Sequence, residues 1–327
     1  MNLGILGSGM IVMEFLKIVE ELNLESISIF SRKFTKEKKD LLKSYPIKKY
    51  YESYDELLNS DIDTVYIALP NHLHFQFAKE ALLQNKHVII EKPITSNYKE
   101  LEELVDIAKK KKKIILEAVN LHYLPAFIAL KQSIENIGNL KIVNFNYSQY
   151  SSRYDAFKRN EIHPVFDPEK SGGALMDLNI YNINAMIGLF GSPKNIQYLA
   201  NIDRNIDTSG IVLYEYPNFK GISIGAKDCK AFSISTIQGD KGCITIKQPL
   251  NQMTSYEIEY NDGNCERFHT EDVKHRLYYE FLEFKKIIDG NKYDRSVDML
   301  SISLEVARLM EKARKEEGIF FPSDNEK

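Results

Sequence analysis

Three groups of residues in this sequence have the types and spacing that chemistry would need. The first is Lys92, delivered by the apolar run Val88-Ile89-Ile90 and flanked by Glu91 and Pro93. A lysine at the carboxyl end of a buried strand sits where ligands of open α/β sheets bind, provided that the strand belongs to a parallel sheet. The second is the turn Gly7-Ser8-Gly9-Met10, which ends the short apolar run from Leu3 to Leu6. In a strand, turn and helix unit, the first glycine makes the tight turn and the second lets the backbone approach a pyrophosphate. The third is Asp177, Tyr181 and Asn184, just after the pair Gly172-Gly173. On an α-helix these three lie at i, i+4 and i+7 and line one face. The glycine pair ahead of them permits close approach to another backbone or to a ligand.

The elements that must position these groups alternate through the first part of the chain. After the glycine turn a helical pattern carries Met10, Met13, Phe15, Leu16 and Val19, with Val12 where a third glycine would stand. A second strand, with Ile27, Ile29 and Phe30, ends in Ser31-Arg32-Lys33. An NAD-binding fold carries an acid there for the ribose 2′-hydroxyl, whereas a hydroxyl and an arginine suit a 2′-phosphate. NADP(H) is therefore favoured as cofactor, with NAD(H) possible. A strand near Ile47 to Tyr51 and a helix around Tyr54 to Leu58 precede the apolar run Ile62 to Leu69, which stops at Pro70-Asn71-His72-Leu73-His74. Leu69, Pro70, Asn71 and His74 thus join Gly7, Ser8, Gly9, Met10, Ser31, Arg32, Glu91 and Lys92 as candidate cofactor contacts at one sheet edge. A helix around Leu101 to Ala108 and a strand from Ile114 to Ala118 follow, and the alternation predicts a doubly wound parallel Rossmann sheet. The run Lys109 to Lys113, at a helix end, reads as cations solvated beside the negative end of the helix dipole.

Near residue 120 the pattern changes. Val143, Phe145 and Tyr147 alternate with polar residues, as do Ile222/Ile224, Phe232/Ile234 and Ile244/Ile246, which predicts antiparallel strands with one buried face. Helices around Tyr278 to Ile288 and Met299 to Ala313 close the chain. The fold class is α/β: a dinucleotide-binding Rossmann domain over 1–120, and over 121–327 an α+β domain for substrate binding and oligomerisation, built on a mainly antiparallel open sheet.

At 327 residues, two domains are the natural prior. Lysine and arginine (43) nearly balance aspartate and glutamate (46), which argues against nucleic acid or membrane as partner and for a small molecule. Cys229, Cys243 and Cys265 form neither a disulfide framework nor a zinc spacing, so no metal is expected and a reducing cytoplasm fits. No apolar run reaches the ~18 residues of a membrane span, and no signal peptide is read at the start.

Taken together, the glycine turn, Asp63-Thr64-Val65-Tyr66-Ile67-Ala68-Leu69-Pro70-Asn71-His72-Leu73-His74, Glu91-Lys92-Pro93, Glu117-Ala118 and Gly172-Gly173-Ala174-Leu175-Met176-Asp177 resemble the Gfo/Idh/MocA oxidoreductases over essentially the whole length. The resemblance implies that Lys92 lies beside the nicotinamide. Tyr181 stands where inositol-dehydrogenase-like members put a histidine base, which is similar to the glucose-fructose oxidoreductase and dihydrodiol dehydrogenase branch, as is Phe166-Asp167-Pro168. His122 stands where that branch often has arginine, and Asn179 where glycine is frequent. With Asn184, these two are candidate substrate contacts, and they keep substrate identity from being carried over.

On this resemblance the protein is an NAD(P)-dependent dehydrogenase or reductase acting on a CH–OH carbon of a sugar, a polyol or a cyclic diol. A free tyrosine, with a pKa of ~10, is a better acid than base, and a nearby ammonium favours the phenolate. Lys92 would supply that field, Tyr181 would move the proton, and Asp177 would orient the substrate or the lysine. Two alternatives stand beside this reading. One is a non-catalytic nucleotide-binding sensor on the same scaffold, and the other is an NAD-linked inositol-type dehydrogenase. A homodimer or higher homo-oligomer is expected.

Overall fold

The computed structural model describes residues 1–325. Strands β1 (Asn2–Leu6), β2 (Ser26–Phe30), β3 (Lys49–Tyr51), β4 (Thr64–Ile67), β5 (His87–Glu91) and β6 (Ile115–Ala118) form one sheet, in the order β3-β2-β1-β4-β5-β6. Every pairing in it is parallel. The order reverses beside β1, where Leu6 pairs with Phe30 on one side and Ile67 on the other, so the ends of β1, β2 and β4 splay into a crevice. These strands are short and apolar because helices cover both faces: β4 is buried along its whole length, and so are Val88, Ile89 and Ile90 of β5. Val12 is fully buried in the helix Met10–Leu16, so the position of the missing third glycine is a core contact.

A second sheet contains β7 (Leu140–Ser148), β8 (Asn195–Asp203), β9 (Ile206–Glu215), β10 (Lys220–Ala226), β11 (Ser235–Gly239), β12 (Gly242–Ile246), β13 (Ser255–Tyr260) and β14 (Cys265–His269). Its order is β14-β13-β12-β11-β7-β10-β9-β8, antiparallel throughout except between β7 and β10. Val143, Phe145, Ile244 and Ile246 face its core, as expected. Two expectations differ. Ile222 and Ile224 lie on the opposite, half-exposed face, because β10 turns Gly221, Ser223 and Gly225 inward. Phe232 is 87% exposed and Ile234 44%, in irregular chain before β11, so their alternation marks no strand.

The chain forms two compact units, but not by the single cut at 120. The first holds Met1–Ala118 and Leu277–Leu304, the second Val119–Arg276 and the described residues from Glu305 onward. The returning segment, expected in the second domain, belongs to the first because Phe281 packs, tilted and edge-on, against Phe15 and Tyr66, with ring centroids 4.3 and 5.0 Å away. The amino terminus also pairs with Asp289 at 3.0 Å. Among the described residues no helix is long and apolar enough to cross a membrane.

Candidate active site

In the first unit the crevice is a cleft of about 430 Å³. It is lined by Gly7, Ser8, Gly9, Ser31, Arg32, Leu69 and Pro70, all anticipated, together with Phe30, Lys33, Lys38, Ala68, Leu73 and Phe77. The two glycines are there for different reasons. Gly7 has φ +113°, and a Cβ on it would stand 2.4 Å from the Ala68 carbonyl oxygen, so the fold itself demands glycine. A Cβ on Gly9 would meet nothing within 4 Å. The space above Gly9 is not needed by the chain, and it is the space a pyrophosphate would fill.

The cleft carries three cations, Arg32, Lys33 and Lys38, and among the described residues no carboxylate lines it. Lys38 carries no motif that marks it in the sequence. It lies in the helix Lys36–Leu42, whose cap Thr35 accepts from the Lys38 N–H, and its Nζ donates to Ser8 Oγ at 2.9 Å. Nothing local shows that this helix brings its first turn back to the glycine turn. A 2′-phosphate would find Ser31 and these cations around it, so the residues present fit a phosphorylated dinucleotide.

Five expected cofactor contacts, Met10, Asn71, His74, Glu91 and Lys92, are not among the residues lining this cleft. Met10 is 78% exposed. Asn71 begins the short 3₁₀ turn Asn71–Leu73. His74 is fully buried, its Nδ1 2.9 Å from the Pro93 carbonyl oxygen and its Nε2 2.8 Å from that of Leu69. Burial holds the imidazole pKa below its ordinary value, against the pull of the two carbonyls. Glu91 Oε1 accepts from the Tyr66 hydroxyl at 2.6 Å. Behind them Glu117 is buried and accepts from the Ile94 N–H at 3.0 Å, and burial pushes its carboxyl pKa up. These three side chains pin the turn that carries half-buried Lys92, and the Lys92–Pro93 peptide is cis. His74 and Glu91 are therefore buttresses of the lysine's turn.

In the second unit the glycine pair starts a helical stretch that is not α-helical throughout. Residues Leu175–Asn179 form a π-turn, with the Ile180 N–H donating to the Leu175 carbonyl, and the α-helix Ile180–Phe190 follows. Such turns widen the helix locally and often mark functional sites. The regular spacing assumed for Asp177, Tyr181 and Asn184 fails across that turn. Gly173 has φ +107°, and a Cβ on it would fall 2.1 Å from Asp207 Oδ1. The approach it permits is to a carboxylate of the protein: Asp207 Oδ2 accepts from the Leu175 N–H at 2.6 Å and from the Tyr198 hydroxyl at 2.7 Å.

Asp177 is half-buried and pairs with Lys227, which is 2% exposed. Lys227 Nζ also donates to the Val165 carbonyl at 3.3 Å and lies 4.9 Å from the Phe166 ring centroid. Tyr181, 8% exposed, has its ring 6.1 Å from that of Tyr147. His122 and Asn184 meet: His122 Nε2 donates to Asn184 Oδ1 at 3.0 Å, while Asn184 Nδ2 donates to the Ile180 carbonyl. Burial lowers the His122 pKa to about 4, so the ring is neutral. Asn179, expected at the substrate pocket, is fully buried against β10, where Gly225 would place a Cβ 2.6 Å from its own. Its Oδ1 accepts from Asn182 at 2.9 Å. Asn179 is thus a packing residue, and the amide of Asn184 is committed within the protein.

Residues 1–119 match a family model described as an oxidoreductase family with an NAD-binding Rossmann fold, GFO_IDH_MocA, and residues 127–245 match the GFO/IDH/MocA C-terminal domain. The chain is 37% identical over 278 residues to a scyllo-inositol 2-dehydrogenase (NADP(+)) of Bacillus subtilis, covering 84% of each. It is 25% identical to the trans-1,2-dihydrobenzene-1,2-diol dehydrogenase of mouse over 98% of both chains. The fold is shared with a 3-ketoreductase of Actinomadura kijaniata solved with NADP and TDP-benzene, at TM-score 0.84 and 20% identity over 96% of this chain and 97% of that one.

Proposed function

The chain belongs to the GFO/IDH/MocA oxidoreductase family, and from that premise we propose that it is an NADP(H)-preferring dehydrogenase or reductase acting on a ring alcohol of a polyol, sugar or cyclic diol. The observation that carries the cofactor choice is the cleft at Gly9, with Ser31 and three cations on its wall and no acid. The relatives support it, since the more similar enzyme above pairs inositol with NADP(+), a combination that the alternatives drawn from sequence kept apart. Inositols therefore belong in the substrate class.

When bound, the nicotinamide supplies a hydride acceptor in one direction and a hydride donor in the other. Gly7, Ser8 and Gly9 hold the pyrophosphate, and Ser31, Arg32 and Lys38 the 2′-phosphate. Lys92, on its clamped turn, is the fixed charge that favours the Tyr181 phenolate and donates to the substrate oxygen. Tyr181 takes the hydroxyl proton during oxidation and returns it during reduction. The outer face of the second sheet, with Ile142, Leu199 and Leu213 exposed and Ile222 and Ile224 half-exposed, covers itself against a second copy of the chain. A monomer by light scattering at micromolar concentration contradicts that last point.

The deciding experiment is a fluorescence titration with NADPH and NADH, followed by turnover on an inositol, aldose and diol panel. Tighter binding of NADPH and NADP⁺-dependent oxidation are expected. Equal affinities overturn the cofactor reading.

A further inference from the structure

We propose that Lys227 is a positioning residue of the reaction, acting through Asp177; this rests on the oxidoreductase reading above. Lys227 follows the last residue of β10 and continues the inward register of Gly221, Ser223 and Gly225, so its side chain enters the interior beneath the helical stretch that starts at Ala174. A buried ammonium is costly unless it is paired and hydrogen-bonded. Here it is given a carboxylate, a carbonyl and an aromatic face, from Asp177, Val165 and Phe166.

The backbone on both sides of the pair is fixed. The Lys227 N–H donates to the Thr208 carbonyl at 2.9 Å, and the Lys227 carbonyl accepts from the Ser151 N–H at 2.8 Å. On the other side Asp207, one residue before Thr208, accepts from the Leu175 N–H and so anchors the π-turn that carries Asp177. Both ends of the ion pair are therefore built on the place where the start of β9 pairs with the end of β10. That pairing sets where the Asp177 carboxylate stands, on the same helical stretch as Tyr181.

The consequence is a division of labour. Asp177, held by a buried cation through Oδ2, is a fixed anion that accepts a hydrogen bond from a neutral substrate hydroxyl, and the proton of the reacting hydroxyl is left to Tyr181. Lys227 touches neither substrate nor cofactor in this account. Its removal frees the Asp177 carboxylate to turn and leaves the glycine-turn cleft of the other unit as it was.

The test is a double-mutant cycle with Lys227→Met, Asp177→Asn and the double variant, with Lys227→Arg as the conservative partner. Melting temperature, NADPH dissociation constant, kcat and KM are read for each. Lys227→Met should lower kcat by about 10²-fold while the NADPH constant stays within about twofold, and the double variant should be no slower than Asp177→Asn alone. Lys227→Arg should recover at least about tenfold of the loss, which a merely structural lysine would not need to do through its charge. Should Lys227→Met fail to fold, Lys227→Arg and Asp177→Asn carry the same comparison. A folded Lys227→Met with kcat within about twofold of the parent, or losses that multiply in the double variant, overturns the proposal. An active parent with an unimpaired variant strikes the positioning role alone, whereas a parent inactive on the whole panel overturns the oxidoreductase reading and this role with it.

Discussion

The Nδ1 of His74 lies 2.9 Å from the carbonyl oxygen of Pro93, the residue after Lys92, and the Nε2 of the same ring lies 2.8 Å from that of Leu69. One buried imidazole thereby ties the loop after β4 to the loop after β5, and the lysine rides on the second of these. A neutral imidazole donates to one of these carbonyls, so replacing His74 by Ala leaves one carbonyl without its donor and empties a buried site, which should cost about 1–3 kcal/mol in urea unfolding. Glu117→Gln should cost less than about 1 kcal/mol, because burial already disfavours the charged carboxyl and the amide oxygen still accepts from Ile94. Equal losses for the two variants contradict this account of the turn.

The glycines separate folding from binding. Gly173→Ala combines φ +107° with a Cβ 2.1 Å from Asp207 Oδ1, and should destabilise the protein by about 2 kcal/mol or more. Gly9→Ala has neither problem, since its φ is −81° and no atom stands within 4 Å of the new methyl. It should melt like the parent and bind NADPH about tenfold or more weaker. A Gly9→Ala protein with unchanged NADPH affinity places the pyrophosphate elsewhere.

Cofactor discrimination should follow the cations. Arg32→Ala is expected to weaken NADPH by about 10- to 100-fold, the worth of a charge-assisted hydrogen bond, and NADH by no more than about threefold. Lys38→Ala should act in the same direction, with a further loss of anchoring for Ser8. Parallel titrations of the two cofactors check both variants, and equal losses for NADPH and NADH contradict the 2′-phosphate assignment.

Acid stability should depend on His122. Its folded pKa, lowered by burial to about 4, lies below the unfolded value of about 6.5. The unfolded chain therefore binds a proton that the folded one does not, and stability falls as pH drops through that window. The contribution is fully present above about 6.5 and lost as pH falls through about 4. His122→Gln keeps an amide donor for Asn184 and should flatten the dependence between those values in a series of thermal melts. An unchanged slope contradicts the assignment.

The parallel sheet was legible because its signals are local: apolar runs, glycine and proline breaks, and helical periods between them. The glycine turn, Ser31 and Arg32 followed from where those runs end. Lys38 and His74 were not legible in their roles, since one reaches its partner by a helix folding back and the other is buried by loops from two strands. The regular stripe of Asp177, Tyr181 and Asn184 failed because a π-turn leaves no mark in residue spacing. The pairing of Asp177 with Lys227, 50 residues apart, is set by the register of β10. The inward parity of Gly221, Ser223 and Gly225 is a readable hint, masked by the apolar alternation of Ile222 and Ile224 on the opposite face. The return of Leu277–Leu304 to the first unit rests on Phe281 meeting Phe15, a long-range contact without local trace.

In the proposed mechanism Lys92 and Tyr181 together move the proton while hydride passes to or from NADP. The most direct measurement is the rate of NADPH formation from NADP⁺ and an oxidised panel substrate, inositols first, with the parent, Lys92→Met and Tyr181→Phe. The account predicts turnover by the parent and a loss of about 10²- to 10⁴-fold in kcat for each variant, with NADPH still bound. Near-parental turnover by either variant contradicts it.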